Sequence, residues 1–223
     1  MTLIIACGLK REARIFDRPG RDLAIVIGGG VAATLEHDLD DQAGRFSGII
    51  LSCGIAGALA PSLRPGDVVI DGDAGVAERL AKAMPHAHRG MIVGNDAIAA
   101  TATEKRLLRE RTGALAVDME SHVAARVALR KGLPFAALRV ISDRAEDDLP
   151  PAALVGMRPD GGMALGAVLA SLARAPRQLP ALIRTGRQAD LAFRSLETAF
   201  DAIIRAGIDH LDTLSFETPT RSP

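Results

Sequence analysis

Residues 49–59 read Ile-Ile-Leu-Ser-Cys-Gly-Ile-Ala-Gly-Ala-Leu. Residues 49–53 form a short apolar run without polar alternation, the pattern of a strand covered on both faces. The small residues of 52–59 then read as a turn leaving that strand. Working outward, 3–7, 23–27, 68–71 and 135–141 are apolar runs of the same kind. Between them 31–42, 98–110 and 119–131 carry helical periodicity, the last stopped by Gly132 and Pro134. Strand and helix in alternation predict an α/β fold with a mostly parallel, mixed central sheet flanked by helices. Ligands on such sheets gather beyond the carboxyl ends of strands. Polar residues just after the apolar runs are therefore the candidates for chemistry.

Beyond Pro150 the composition changes. Pro150, Pro151, Pro159, Gly161 and Gly162 precede an apolar segment at 163–172, and Pro176 and Pro180 punctuate the chain after it. In 189–208, Phe193, Leu196, Phe200, Ile203 and Ile204 fall on one helical face, opposite Arg194, Glu197, Asp201 and Arg205. The expected organisation is one domain over 1–223, with 151–212 as extra C-terminal helices covering the sheet and a frayed tail after 212. A sharper alternative is a helical cover that meets a lipid-like substrate or a membrane surface. The acids on its polar face weigh against the membrane.

Composition narrows the class. The 223 residues are 48% hydrophobic and 24% charged, as in ordinary soluble globular proteins. Lys plus Arg and Asp plus Glu each number 27, and there are six Phe but no Trp or Tyr. Neither the basic stripe nor the stacking aromatics of a nucleic-acid binder is present. Cys7 and Cys53 lie in apolar runs and read as buried, reduced thiols, which fits a cytoplasmic protein. The N-terminal apolar run lacks a basic region and is too short for a signal peptide. No stretch has the length of a transmembrane helix.

Gly28-Gly29-Gly30 follows a strand and opens a helix, giving G-x-G-x-x-A through Ala33. A dinucleotide site also wants an acid about 20 residues on, and none occurs between Asp41 and Asp67. A nicotinamide enzyme is disfavoured, and a tight strand-to-helix turn explains the glycines. Three acids follow strand-like segments: Glu12, Glu120 in Val117-Asp118-Met119-Glu120, and Asp143 in Arg139-Val140-Ile141-Ser142-Asp143. Each alone reads as an N-cap or a solvated acid. Together they predict convergence at the mouth of the sheet. His86 and His88 have no matching Cys or Asp cluster, so no metal site is expected. His122 reads as a packing residue.

Taken together, the Cys-Gly-Ile-Ala-Gly-Ala-Leu turn, Arg64-Pro65-Gly66-Asp67-Val68-Val69, Val-Asp-Met-Glu and Arg-Val-Ile-Ser-Asp resemble the superfamily of purine nucleoside phosphorylases and 5′-methylthioadenosine/S-adenosylhomocysteine nucleosidases. The resemblance runs from about residue 3 to 147. Within the superfamily the chain is most similar to the hopanoid-associated phosphorylases, held to remove adenine from adenosylhopane, a nucleoside with a pentacyclic lipid on its 5′ carbon. The resemblance implies that Asp143 protonates or hydrogen-bonds N7 of the leaving purine and that Ser142 orients it. Glu120 would hold the ribose hydroxyls, and Met119 would pack on sugar and base. Ile98 and Ala99 would line the base, and Gly54 would join the substrate-binding residues. Glu12 matches the glutamate with which nucleosidases activate water. Arg11 matches an arginine with which phosphorylases hold phosphate; where they carry an arginine and a serine in the second turn this chain has Ser52 and Ile55, which leaves half of the site, with Ser52 as its polar residue there. Ile55 departs from the phosphate-binding pattern; Lys10 or Arg21 would have to compensate. Water and phosphate both remain open as nucleophile, and inorganic phosphate is the one co-substrate considered. The superfamily is usually oligomeric, which implies a homo-oligomer, with a dimer expected.

The chemistry fits those roles. Glycosidic cleavage passes through an oxocarbenium-like state that needs a neutralised leaving group. Asp143 must then carry or share a proton near neutral pH, which predicts burial or another local effect that raises its pKa. Only residues 72–90 separate the fourth apolar run from Met91-Ile92-Val93, fewer than in the methylthioadenosine enzymes. A shortened wall leaves the 5′ side open for a lipid tail, with 163–172 and the C-terminal helix as candidates to line an apolar exit. The substrate expected is a small or lipid-linked purine nucleoside, handled in the cytoplasm or at the inner membrane face. Two alternatives stand beside adenosylhopane cleavage. One is a small-nucleoside phosphorylase or methylthioadenosine nucleosidase; the other is a non-catalytic carrier of a lipid-linked nucleoside.

Overall fold

β1 (Thr2–Cys7) is buried along its whole length because its residues serve two faces. Leu3, Ile5 and Cys7 point into one apolar cluster, Ile4 and Ala6 into another. The computed structural model describes residues 2–208 except 22, 47, 157, 159 and 163. The expected frayed tail after 212 lies outside the described residues, as do Pro159 and Met163.

After β1 come α1 (Lys10–Phe16), β2 (Leu23–Ile27), α2 (Ala32–Arg45) and β3 (Gly48–Ala58). β4 (Val68–Gly72), α3 (Ala74–Ala83), β5 (His88–Arg89) and β6 (Ile92–Gly94) come next. Then come α4 (Ala102–Thr112), β7 (Ala116–Asp118), α5 (Ser121–Lys131) and β8 (Phe135–Asp143). The chain closes with α6 (Pro151–Leu154), α7 (Leu165–Arg174), a 3₁₀ turn at Pro176–Gln178 and α8 (Leu179–Arg205).

The sheet runs β2-β1-β3-β8-β4-β5, with β7 joining β3 and β6 beyond it. Pairing is parallel except for β3 with β7 and β4 with β8. This is the mostly parallel mixed sheet expected. α8 covers one face, burying Phe193, Leu196, Phe200 and Ile203 among Ile5, Leu51, Leu138 and Val140. Phe16 of α1 meets Phe200 edge-on, with ring centroids 4.9 Å apart. α2 and α5 cover part of the other face with Leu35, Leu39, Val123 and Val127.

Several boundaries differ from expectation. The strand expected at 49–53 runs on to Ala58, straight through the segment read as a turn. The strand expected at 135–141 runs on to Asp143. β3 and β8 pair along this extension, with an irregularity that lets Gly57 face Asp143. The helix expected at 98–110 starts only at Ala102, where the Thr101 hydroxyl and the Glu104 carboxylate form a reciprocal cap. Ile98 and Ala99 are therefore loop residues. α8 starts ten residues before the segment assigned to it, since Pro180 sits in the first turn, where its missing N–H costs nothing. His88 lies in β5 and pairs with Val69 of β4. Gly28–Gly30 form a turn: Gly28 and Gly29 donate to Cys7 and Gly8 carbonyls, and Gly29 and Gly30 have positive φ.

Candidate active site

The carboxyl ends of β1, β3, β7 and β8 open together on a cavity of about 190 Å³. Glu12, Glu120, Asp143, Ser142 and Met119 all line it, and the loop residues Ile98 and Ala99 close one side.

Glu12 is the third residue of α1, and the helix needs it there. Its Oε2 accepts from the backbone N–H groups of Gly8 and Leu9 at 2.9 and 2.8 Å, capping α1. Its Oε1 accepts from Ile55 N–H of β3 at 2.8 Å. Burial pushes this carboxyl above its ordinary pKa, against the pull of Arg139 and the three N–H donors. An ionised carboxylate offers about four acceptor positions; three are filled, and the remaining one belongs to Oε1. Gly54 makes the room. A Cβ there would lie 2.5 Å from Glu12 Oε1 and 2.9 Å from Arg139 Nη1.

Glu120 stands at the start of α5 without capping it, which leaves its carboxylate for the cavity. Asp118 does the capping, accepting from Ser121 N–H at 2.9 Å. Burial pushes Glu120 well above the ordinary carboxylate range; Arg139 opposes the shift, and Asp118 and Glu12 add to it. Gly8 gives it space, since a Cβ on Gly8 would sit 2.5 Å from Glu120 Oε1.

Arg139 links these acids from the middle of β8. It is wholly buried, donates through Nε to Asp118 Oδ2 at 2.6 Å, and donates through Nη2 to Asp118, to Ser52 Oγ at 2.7 Å and to Glu120 Oε2 at 3.5 Å. Its acid neighbours hold the guanidinium above its usual range despite burial. Its Nη1 is buried and finds no partner among the described residues.

Asp143 has a different setting. Its Oδ1 accepts from Ser142 Oγ at 2.7 Å, and its Oδ2 accepts from the ammonium of Lys105. Sequence reasoning expects burial or another local effect to keep a proton on this acid; Asp143 is buried, and a fully buried lysine is set against it. Sequence reasoning misses Lys105, because Ala102–Thr112 is a strongly polar helix and Lys105 looks like any solvated lysine in it. It also gives no role to Arg139, although the Arg-Val-Ile-Ser-Asp motif contains it. A lone arginine in an otherwise apolar strand is the available signal, since such a charge must find partners.

The candidate phosphate residues do not meet at the cavity. Arg11 ion-pairs with Asp190 of α8 at 2.7 Å and stacks on Phe193, 3.9 Å from the ring centre. Ser52 is buried beneath the cavity as a partner of Arg139. Lys10 pairs with Asp160 at 2.8 Å. Gly54 lies behind Glu12 and makes room for it, and is not part of the cavity wall. Nor do α7 and α8, expected to line an apolar exit, line the cavity. The Gly161 carbonyl does accept from Lys10 N–H at 2.9 Å, so the segment leading into α7 rests on the Gly8–Leu9 wall. Leu165 and Leu169 of α7 are about two-thirds exposed. Cys7 and Cys53 are free and buried, and burial raises both thiols, Cys53 to about 12. No helix of the described residues is long and apolar enough to cross a membrane.

Residues 71–174 match the model of the phosphorylase superfamily. Among solved structures, the chain is similar to 5′-methylthioadenosine/S-adenosylhomocysteine nucleosidase from Neisseria meningitidis, with TM-score 0.67 and 14% identity over 94% of this chain and 99% of that one. The corresponding enzyme of Helicobacter pylori gives TM-score 0.63 and 17% identity over 95% and 99%. Futalosine hydrolase of Helicobacter pylori gives 0.60 and 15% over 95% and 98%. Residues 71–174 are thus similar to the phosphorylase superfamily, and over nearly its whole length the chain shares its fold with these three structures.

Proposed function

We propose that the chain is a purine nucleosidase that breaks the N-glycosidic bond of an adenine nucleoside with water. The observation that carries this reading is the convergence of Glu12, Glu120 and Asp143 on one cavity at the mouth of the sheet. Asp143 serves the leaving base, giving N7 a proton as the bond to C1′ lengthens, with Ser142 fixing its carboxyl group. Such a positioned acid contributes about 10²–10⁴-fold. Glu120 accepts from the ribose hydroxyls. Met119, Ile98 and Ala99 pack on sugar and base. Glu12 takes a proton from the attacking water. The engagement of Arg11, Lys10 and Ser52 elsewhere supports water over phosphate.

The finer reading is a substrate with an apolar 5′ substituent, of the adenosylhopane type. Two features support it: the resemblance to the hopanoid-associated enzymes, and the exposed Leu165 and Leu169 of α7, a helix that follows the Gly161 contact with the Gly8–Leu9 wall. The test is adenine release from adenosines carrying 5′ chains of increasing length, with 5′-methylthioadenosine for comparison. The reading expects kcat/KM to rise with chain length, and Leu165→Glu with Leu169→Glu to remove most of that rise while leaving methylthioadenosine cleavage intact. Faster cleavage of methylthioadenosine than of every long-chain substrate overturns the lipid reading and leaves the nucleosidase reading standing.

A further inference from the structure

The fully buried Lys105 has no part in the roles above. It is the one buried side chain of α4. Its ammonium has three N–H donors and no acceptor. It meets three acceptors: Asp143 Oδ2, the Arg144 carbonyl at 2.8 Å and the Asp147 carbonyl at 2.9 Å. Three donors against three acceptors fit the charged form. Burying that charge is expensive unless it is paired, and an apolar side chain would fill the space at less cost. The lysine also approaches Asp143 from the protein side, while Asp143 faces the cavity. Ser142 holds the other carboxyl oxygen.

We propose that Lys105 is the positioning residue of Asp143 and the store of the proton that Asp143 hands to the departing base. The proposal rests on the nucleosidase reading above and deepens it. Before reaction the pair is an ammonium and a carboxylate. As C1′–N9 breaks, its electron pair goes to the purine. Asp143 takes a proton from Lys105 at Oδ2 and passes it to N7, leaving Lys105 a neutral amine. The oxygen of water bonds to C1′, and the proton it loses goes to Glu12. Return of that proton through solvent to Lys105 restores the starting state, so one water is consumed and no other reactant is needed. The charged groups around the pair are few. Asp143 faces Lys105 from β8, and the loop after β8 brings Arg144 and Asp147, whose carboxylate is held by Gln188 and Arg184 of α8 at 3.0 and 3.8 Å.

The test compares Lys105→Met with the parent on two substrates, an adenine nucleoside and 4-nitrophenyl riboside, whose leaving group departs without a proton. The expected result is a loss of about 10²-fold or more in kcat on the nucleoside, with KM little changed, and near-parental cleavage of the nitrophenyl riboside. The alkaline limb of kcat should move to lower pH, because without Lys105 the proton must stay on Asp143 alone. Lys105→Gln keeps donors for the two carbonyls but holds no transferable proton. It should reproduce the effect, and it serves if the methionine variant fails to fold. Equal losses on both substrates, an unmoved alkaline limb, or full activity on the nucleoside would each overturn the proposal. A parent enzyme that releases adenine from no nucleoside would instead overturn the nucleosidase reading, and the proposal with it.

Discussion

The two sides of the cavity solve the burial of acids differently. On the side proposed for the sugar, Glu12, Glu120 and Asp118 share one cation, Arg139, and Glu12 draws three backbone N–H groups as well. On the side proposed for the base, Asp143 has a cation of its own in Lys105 and a hydroxyl in Ser142. Three acids around one guanidinium leave excess negative charge, and burial raises Glu12 and Glu120. That arrangement suits groups that must accept hydrogen bonds or a proton from substrate. One acid against one transferable proton suits a group that must give one. In the proposed reading, the ratio of cations to carboxylates sets what each side does.

Breaking the base side should cost the most activity. Asp143→Ala is expected to lower adenine release by about 10²–10⁴-fold and, because it leaves the buried Lys105 ammonium without its carboxylate, to lower the melting temperature as well, read by a discontinuous adenine assay beside a thermal melt. Breaking the sugar side at its cation should also cost stability. Arg139→Met strands Asp118 and Glu120 in the interior, and loss of one partner from such a buried pair costs about 3–5 kcal/mol. Urea unfolding measures it, and a cost below about 1 kcal/mol would mean that water reaches these acids. The smallest effect sharpens the comparison through pH. Glu12 and Glu120 have folded pKa values above their unfolded ones, so their contribution to stability is present below the unfolded value and is lost as pH rises through the folded one. The parent protein should therefore lose melting temperature as pH rises above the ordinary carboxylate range. Glu12→Gln and Glu120→Gln should each flatten that decline while lowering activity; a steeper decline in both would contradict the electrostatic account of this side.

Much of this is legible in the sequence. The apolar runs locate the central strands, and the motif acids Glu12, Glu120 and Asp143 do reach one cavity. The illegible parts have identifiable physical causes. β3 hides its length because Gly54 and Gly57, which read as turn residues, are small for a tertiary reason: the side chains of Glu12, Arg139 and Asp143 lie against them. β6 and β7 have three residues each, too few for any periodicity to show. α1 has seven residues, too few for a helical period to show, and it is capped by Glu12. Arg11 carries the right motif position for phosphate, but Asp190 and Phe193, distant in sequence, claim its side chain. Lys105 has no local signal at all, because its burial depends on the loop after β8 folding over α4.

The most direct test of the account is to incubate the protein with a 5′-alkyl adenosine in phosphate-free buffer and measure adenine and reducing sugar together. The account predicts that both appear in equal amounts and that added phosphate changes neither rate nor product. Release that requires phosphate and yields a sugar phosphate would contradict it, and would assign the nucleophile to a phosphate site that Arg11 must leave Asp190 to build.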